Sequence, residues 1–146
     1  MSAATRKTSR NPYSVLAEFR HRLREFLTFS EEAAHAAGLH PQQHQLMLAI
    51  AGAPADQATT VAYAAESLGL KHNSTVELAN RCVGEGLLRR VADESDGRKI
   101  LLKLTPLGSK MLRRLTRAHA KELNVLAPQL IKSLQAISTT RRATSR

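Results

Sequence analysis

Gly86-Leu87-Leu88-Arg89-Arg90, followed by Asp96-Gly97-Arg98-Lys99-Ile100-Leu101-Leu102-Lys103-Leu104-Thr105-Pro106-Leu107-Gly108, carries most of the information about this chain's fold. Residues 87–92 and 99–104 read as two short strands. In the second, Ile100, Leu102 and Leu104 alternate with Lys99, Leu101 and Lys103, the period of a strand with one face buried. Between the strands lies Asp93-Glu94-Ser95-Asp96-Gly97, and Asp-Gly is a strong hairpin-turn signal. Thr105-Pro106 then starts a helix, with Thr as cap and Pro at the first position.

Upstream of the hairpin the pattern is helical. Asn11-Pro12 breaks the chain after a basic tail. From there to residue 37, Leu16, Phe19, Leu23, Phe26, Ser30, Ala33 and Ala37 recur at three- and four-residue spacing, and Gly38 stops the helix. A second helix begins at Pro41 and ends at Gly52, with Leu46, Met47 and Ile50 as its apolar stripe. After a loop over 53–58, Thr59 or Thr60 caps a short helix that Gly69 ends. A fourth helix spans about 72–85, with Thr75, Leu78, Ala79 and Cys82 on its apolar face and Gly86 as its stop. Downstream of the hairpin, Met111, Leu115, Ala118 and Glu122 line one face of a helix over 106–126, with Leu112, His119, Leu123 and Leu126 beside them. Pro128 is expected to break it, leaving a last helix over 129–137.

Composition fits a single helical domain. The chain has 146 residues, 42% hydrophobic and only 3% aromatic, so its core must come from Leu, Ala, Val and Ile. The net charge of +10 suggests an anionic partner, either nucleic acid or a membrane surface. Arg6, Lys7 and Arg10 at one end, with Arg141, Arg142 and Arg146 at the other, supply +6 of it. These tails, residues 1–10 and 139–146, read either as flexible solvated ends or as arms that touch DNA backbone. Cys82 is the only cysteine, so no intrachain disulfide is possible. The N-terminus has no apolar signal stretch, and no segment approaches the roughly 20 apolar residues that span a bilayer. A cytoplasmic protein with no membrane partner is expected.

The order of elements is helix, helix, short helix, glycine turn, helix, hairpin, long helix, short helix, and a helix-turn-helix followed by a β-hairpin is the winged-helix plan. In that plan the second helix of the pair fits the major groove, and the hairpin flanks it. Lys71, Arg81, Arg89, Arg90, Arg98, Lys99 and Lys103 fall in this stretch, offset by five acids. Three of the acids, Asp93, Glu94 and Asp96, sit at the hairpin turn, which suits a wing whose arginine is held by a carboxylate.

The hairpin stretch resembles the wing signature of the multiple-antibiotic-resistance regulator (MarR) family: a Gly-Leu-Val-x-Arg strand, an Asp-Arg-Arg tip and a Leu-Thr-x-x-Gly helix start. Gly38-Leu39 with Gln43-His44-Gln45-Leu46, Leu68-Gly69-Leu70-Lys71-His72-Asn73-Ser74, and Phe19-Arg20 through Phe29-Ser30-Glu31 are also similar to the family. The match covers roughly residues 12–137. It implies a mainly α fold with a small β-hairpin wing: a winged helix-turn-helix region over 41–104, and dimerisation helices over 11–40 and 105–138. It further implies a homodimer that binds a pseudo-palindromic double-stranded DNA operator as a transcriptional regulator. Such a protein is typically a repressor released by a small aromatic or phenolic effector.

Carried over residue by residue, the resemblance puts Lys71, His72, Asn73, Ser74, Val76, Glu77 and Arg81 at the DNA face of the recognition helix. Arg90, Asp96, Arg98 and Lys99 belong to the wing, where Arg98 enters the minor groove and Asp96 orients it. An effector pocket is implied near Phe26, His44, Met47 and Met111. Two departures stand out. Gly97 occupies the tip position where the family often has a second Arg. Glu77 repels phosphate, and either accepts from a cytosine amino group or closes a capping box with Ser74 that would start the helix later.

Other readings of single residues are plainer. Cys82, on the apolar face, is a core residue before it is a redox switch. His35, His40 and His44 lie within ten residues but share no helical face, so no metal is expected. Lys110, Arg113, Arg114, Arg117 and Lys121 form a second DNA surface or a solvated helix face. No phosphate loop, nucleophile motif or paired carboxylate frame points to an enzyme, and no cofactor is expected. The competing functions are a non-specific architectural nucleic-acid binder and a winged-helix module that binds protein.

Overall fold

The computed structural model describes residues 11–143. Its elements are α1 (Pro12–Ala36), α2 (Pro41–Ala51), α3 (Val61–Leu68), α4 (His72–Gly84), β1 (Leu88–Ala92), β2 (Ile100–Leu104) and α5 (Pro106–Ala143). This is the mainly α fold with one β-hairpin that the sequence predicts.

Local chemistry sets the boundaries. Asn11 Oδ1 accepts from Tyr13 N at the start of α1. The N-cap of α2 is His40: its Nδ1 accepts from Gln42 N at 3.2 Å, and Gln43 Oε1 accepts from His40 N at 2.9 Å, a capping box with imidazole in place of a hydroxyl. Thr60, the later of the two candidates, caps α3 by accepting from Tyr63 N. The turn from α3 to α4 passes through Gly69 at φ 64°, a left-handed conformation that a side chain disfavours. α4 starts at His72 with no side-chain cap, so the Ser74–Glu77 capping box does not form. Thr75 instead donates its hydroxyl back to Lys71 O at 3.0 Å.

The strands pair antiparallel, Leu88 opposite Leu104 and Ala92 opposite Ile100. The other side of β2 is covered by Thr59, whose hydroxyl donates to Leu102 O and whose carbonyl accepts from Leu102 N, both at 2.8 Å. That satisfies backbone groups at a buried strand position. Thr105 ties the hairpin to α5: its N–H donates to Leu87 O, its hydroxyl donates to Gly86 O, and that hydroxyl also accepts from Gly108 N.

The described residues fall into two compact units, and α1 and α5 contribute to each. The unit over 30–118 buries Leu46, Met47, Leu78, Ala79, Cys82, Leu88, Leu102, Leu112 and Leu115 in one core. The α4 face inside it is Thr75, Leu78, Ala79 and Cys82, as the spacing predicts. The other unit takes the rest of α1, up to Phe29, and α5 from His119. There Val15, Leu126 and Ser133 are buried, and Phe26 and Phe29 each set a ring edge-on to His119, at centroid distances of 6.0 and 5.3 Å.

The structure corrects four expectations. Pro128 does not break the last helix: α5 is continuous through it. A proline's own φ is helical and only one backbone bond is lost, while Leu126 and Ser133, buried on either side, hold the helix in one register. α5 also runs to Ala143, into the segment expected to begin a tail at 139; residues 1–10 and 144–146 lie outside the described residues. Ile100 is exposed although it alternates with Leu102, because it sits at the outer end of the hairpin beyond the reach of the core. Of the stripe predicted for the first helix, Leu16 and Leu23 on α1 and Ala37 just past its end are exposed, and the buried positions on α1 are Val15, Ser30 and Ala34. Spacing places residues on a face, but within one chain a face is buried only where something packs on it.

Candidate nucleic-acid interface

α4 divides cleanly. With Thr75, Leu78, Ala79 and Cys82 turned into the core, Lys71, His72, Asn73, Ser74, Glu77, Asn80 and Arg81 are exposed and Val76 is half-buried. The 3.6-residue period that buries one side presents the polar residues on the other. The predicted recognition set on this helix thus shares one accessible surface.

The hairpin tip is built by two carboxylates. Asp93 Oδ1 accepts from Ser95 N and from the Ser95 hydroxyl. These two bonds, the backbone one foremost, hold the Asp93 carboxyl below the ordinary carboxylate pKa. The turn closes with Asp93 N donating to Lys99 O and Lys99 N donating to Asp96 O. Asp96 Oδ1 accepts from Arg98 N at 3.2 Å and from Arg98 Nε at 3.1 Å. One carboxylate therefore fixes both the backbone and the side chain of Arg98, and the guanidinium still projects into solvent. Lys99 is exposed beside it. Arg90, also exposed, donates to Asn80 Oδ1 on α4.

The four residues implied for an effector pocket are placed apart in role. His44 and Met47 are buried in the 30–118 unit, Met47 in its core cluster and His44 three residues before it on α2. Met111 packs against that core and lines a cavity of about 390 Å3 with Ala33, Ala36, Ala37, Arg114, Leu115 and Ala118. Phe26 belongs to the other unit, against His119.

Behind α4, burial pushes the Cys82 thiol up to about 11, with Glu85 adding to the shift. Gln43 is almost wholly buried; its amide donates to Glu85 Oε2 at 2.8 Å and so joins the start of α2 to the end of α4. Sequence reasoning missed this pair, which is 42 residues apart, and it missed Asn80. The signal for Asn80 was available: it lies three residues after Glu77 and seven after Asn73, on the same helix face.

Known proteins share this architecture. Wild-type MarR from E. coli superposes with a TM-score of 0.62 at 16% identity, over 86% of this chain and 90% of that one. A mutant MepR from S. aureus, bound to an oligodeoxyribonucleotide, gives 0.63 at 20% identity over 92% and 98%. CouR from Rhodococcus jostii, bound to p-coumaroyl-CoA, gives 0.61 at 19% identity over 77% and 83%. At these identities the likeness is one of fold. No curated protein sequence matches the chain. The sequence model of the MarR family matches residues 37–99, which run from the end of α1 through the tip of the hairpin. Over residues 37–99 the chain is therefore similar in sequence to the MarR family, and its fold is the one these solved proteins share.

Proposed function

We propose that the protein is a homodimeric, sequence-specific DNA-binding transcriptional regulator, acting as a repressor that a small effector releases. One observation carries the reading: the exposed polar face of α4 stands beside a hairpin whose Arg98 is held by Asp96 and presented to solvent. A helix with such a face suits the major groove, and an ordered guanidinium on a projecting turn suits a narrow minor groove. Residues 41–104 form the DNA-binding region in this reading, and α1 and α5 supply the dimer surface. The oligodeoxyribonucleotide bound to MepR supports the DNA partner by analogy.

The effector is a small aromatic or phenolic anion. The cavity beside Met111 is lined by apolar residues together with Arg114, and CouR, of the same fold, is bound to p-coumaroyl-CoA. No helix of the described residues is long and apolar enough to cross a membrane.

Competition binding tests the reading. A labelled duplex bound by the protein should be displaced far better by its own sequence than by random DNA at the same salt. Equal displacement by both would identify a non-specific architectural binder. Salt dependence alone separates neither, because both rely on phosphate contacts.

A further inference from the structure

Two residues apart on a strand, Leu88 and Arg90 share a face of β1. Leu88 is buried, while Arg90, opposite Leu102, is exposed. On β1 burial therefore stops after Leu88, although Leu102 on β2 stays in the core, and the Arg90 side chain reaches out on the side where α4 packs against β1. There its Nη2 donates to Asn80 Oδ1. Asn80 belongs to the exposed face of α4, one turn beyond Val76 and Glu77. Among the described residues Arg90 makes no ion pair. The amide oxygen takes one of five guanidinium N–H donors, and the planar fork keeps the others for an anion.

We infer that Asn80 is a positioning residue that holds the Arg90 guanidinium in the angle between α4 and the wing, where Arg90 grips one DNA phosphate. The inference rests on the DNA-binding reading above. A neutral amide suits this role better than an acid. A carboxylate at position 80 would also fix the arginine, but would cancel the charge that the phosphate meets. Holding the side chain before DNA arrives removes part of the ordering cost from binding.

A double-mutant cycle across a salt series tests it, using the full chain and a labelled duplex of random sequence, since phosphate contacts do not depend on sequence. Arg90→Ala should weaken binding roughly tenfold and lower the slope of log K against log salt by about 0.9, the loss of one phosphate contact. Asn80→Ala should weaken binding roughly three- to tenfold with the slope kept, because the cation remains. The double variant should bind no more weakly than Arg90→Ala alone. Melting temperatures of all variants are measured alongside, so that a folding defect is seen as one. An Asn80→Ala effect that persists in full without Arg90 would overturn the inference, as would unchanged or tightened binding by Asn80→Ala. If the unmodified protein binds no duplex at low salt, the DNA-binding reading falls and the inference with it. If it binds and only the cycle is additive, the inference alone falls.

Discussion

Asp96 holds Arg98 through Nε at 3.1 Å while the Arg98 side chain stays 92% exposed, so the pair orders the arginine without hiding it. An exposed ion pair adds little to stability. Its use is to reduce the rotamers that Arg98 surrenders on binding, at the expense of a nearby negative charge. Arg98→Ala should therefore weaken DNA binding by about 1–3 kcal/mol, and Lys103→Ala by less. Asp96→Ala should also weaken it although the protein becomes more positive. Fluorescence anisotropy at fixed salt measures all three, and tighter binding by Asp96→Ala would mean that bulk charge decides.

Gly108 should be irreplaceable. A Cβ built there lies 2.1 Å from Leu87 O, a backbone atom already fixed by Thr105 N. Gly108→Ala must push α5 away from the hairpin, at a cost of at least about 1–3 kcal/mol, the range for overpacked sites. Gly97 has open space around it, so Gly97→Ala should stay within about 0.5 kcal/mol. Urea unfolding of the two variants gives the comparison; equal stabilities would refute the close approach.

Cys82 should behave as a core residue. With its thiol pushed up to about 11 by burial, it carries almost no thiolate at neutral pH, and native protein should react with a disulfide reagent only as fast as it opens. The shift also fixes a sign. The folded state keeps the thiol proton more tightly than the unfolded chain, so this contribution to stability is complete below pH 9.0 and is lost as pH rises towards 11. Alkaline melts of Cys82→Ala should fall less steeply over that window than those of the unmodified protein. Rapid labelling of the folded protein at neutral pH would argue for a reactive site instead.

The protein should sediment as a dimer. Leu16 on α1, and Val125, Ile131 and Leu134 on α5, are about half or more exposed in the single chain, with Val125 at 63%. Apolar faces of that extent on helices need a partner surface. A permanent dimer would bury well over ~2,000 Å2 in total. Charged substitutions at Leu16 and Ile131 together should produce monomers or aggregates, and a folded monomer of the unmodified chain at micromolar concentration would contradict the dimer.

The parts legible in the sequence were those governed by local rules. Glycines and prolines marked where helices stop and start, and the three- and four-residue spacing of Thr75, Leu78, Ala79 and Cys82 gave the buried face of α4 and with it the exposed one. The Asp96–Arg98 pair was legible because its partners are two residues apart across a turn. What escaped depends on tertiary neighbours. Spacing cannot say that Ile100 lies past the edge of the core, that Gln43 reaches Glu85, or that Arg90 rather than Arg89 meets α4. Pro128 misled because its local rule, helix interruption, yields when residues on both sides are buried in one register.

Selection of bound duplexes from a random DNA pool tests the central claim most directly. A dimer that reads bases with the exposed face of α4 should enrich a two-fold motif, its half-sites about one helical turn or a multiple of it apart. Asn73→Ala or Ser74→Ala should relax the preference at the positions those residues read, at a cost of about 1–3 kcal/mol each. A pool that binds yet shows no enriched motif after repeated rounds, or a motif indifferent to both substitutions, would contradict sequence-specific recognition by this helix.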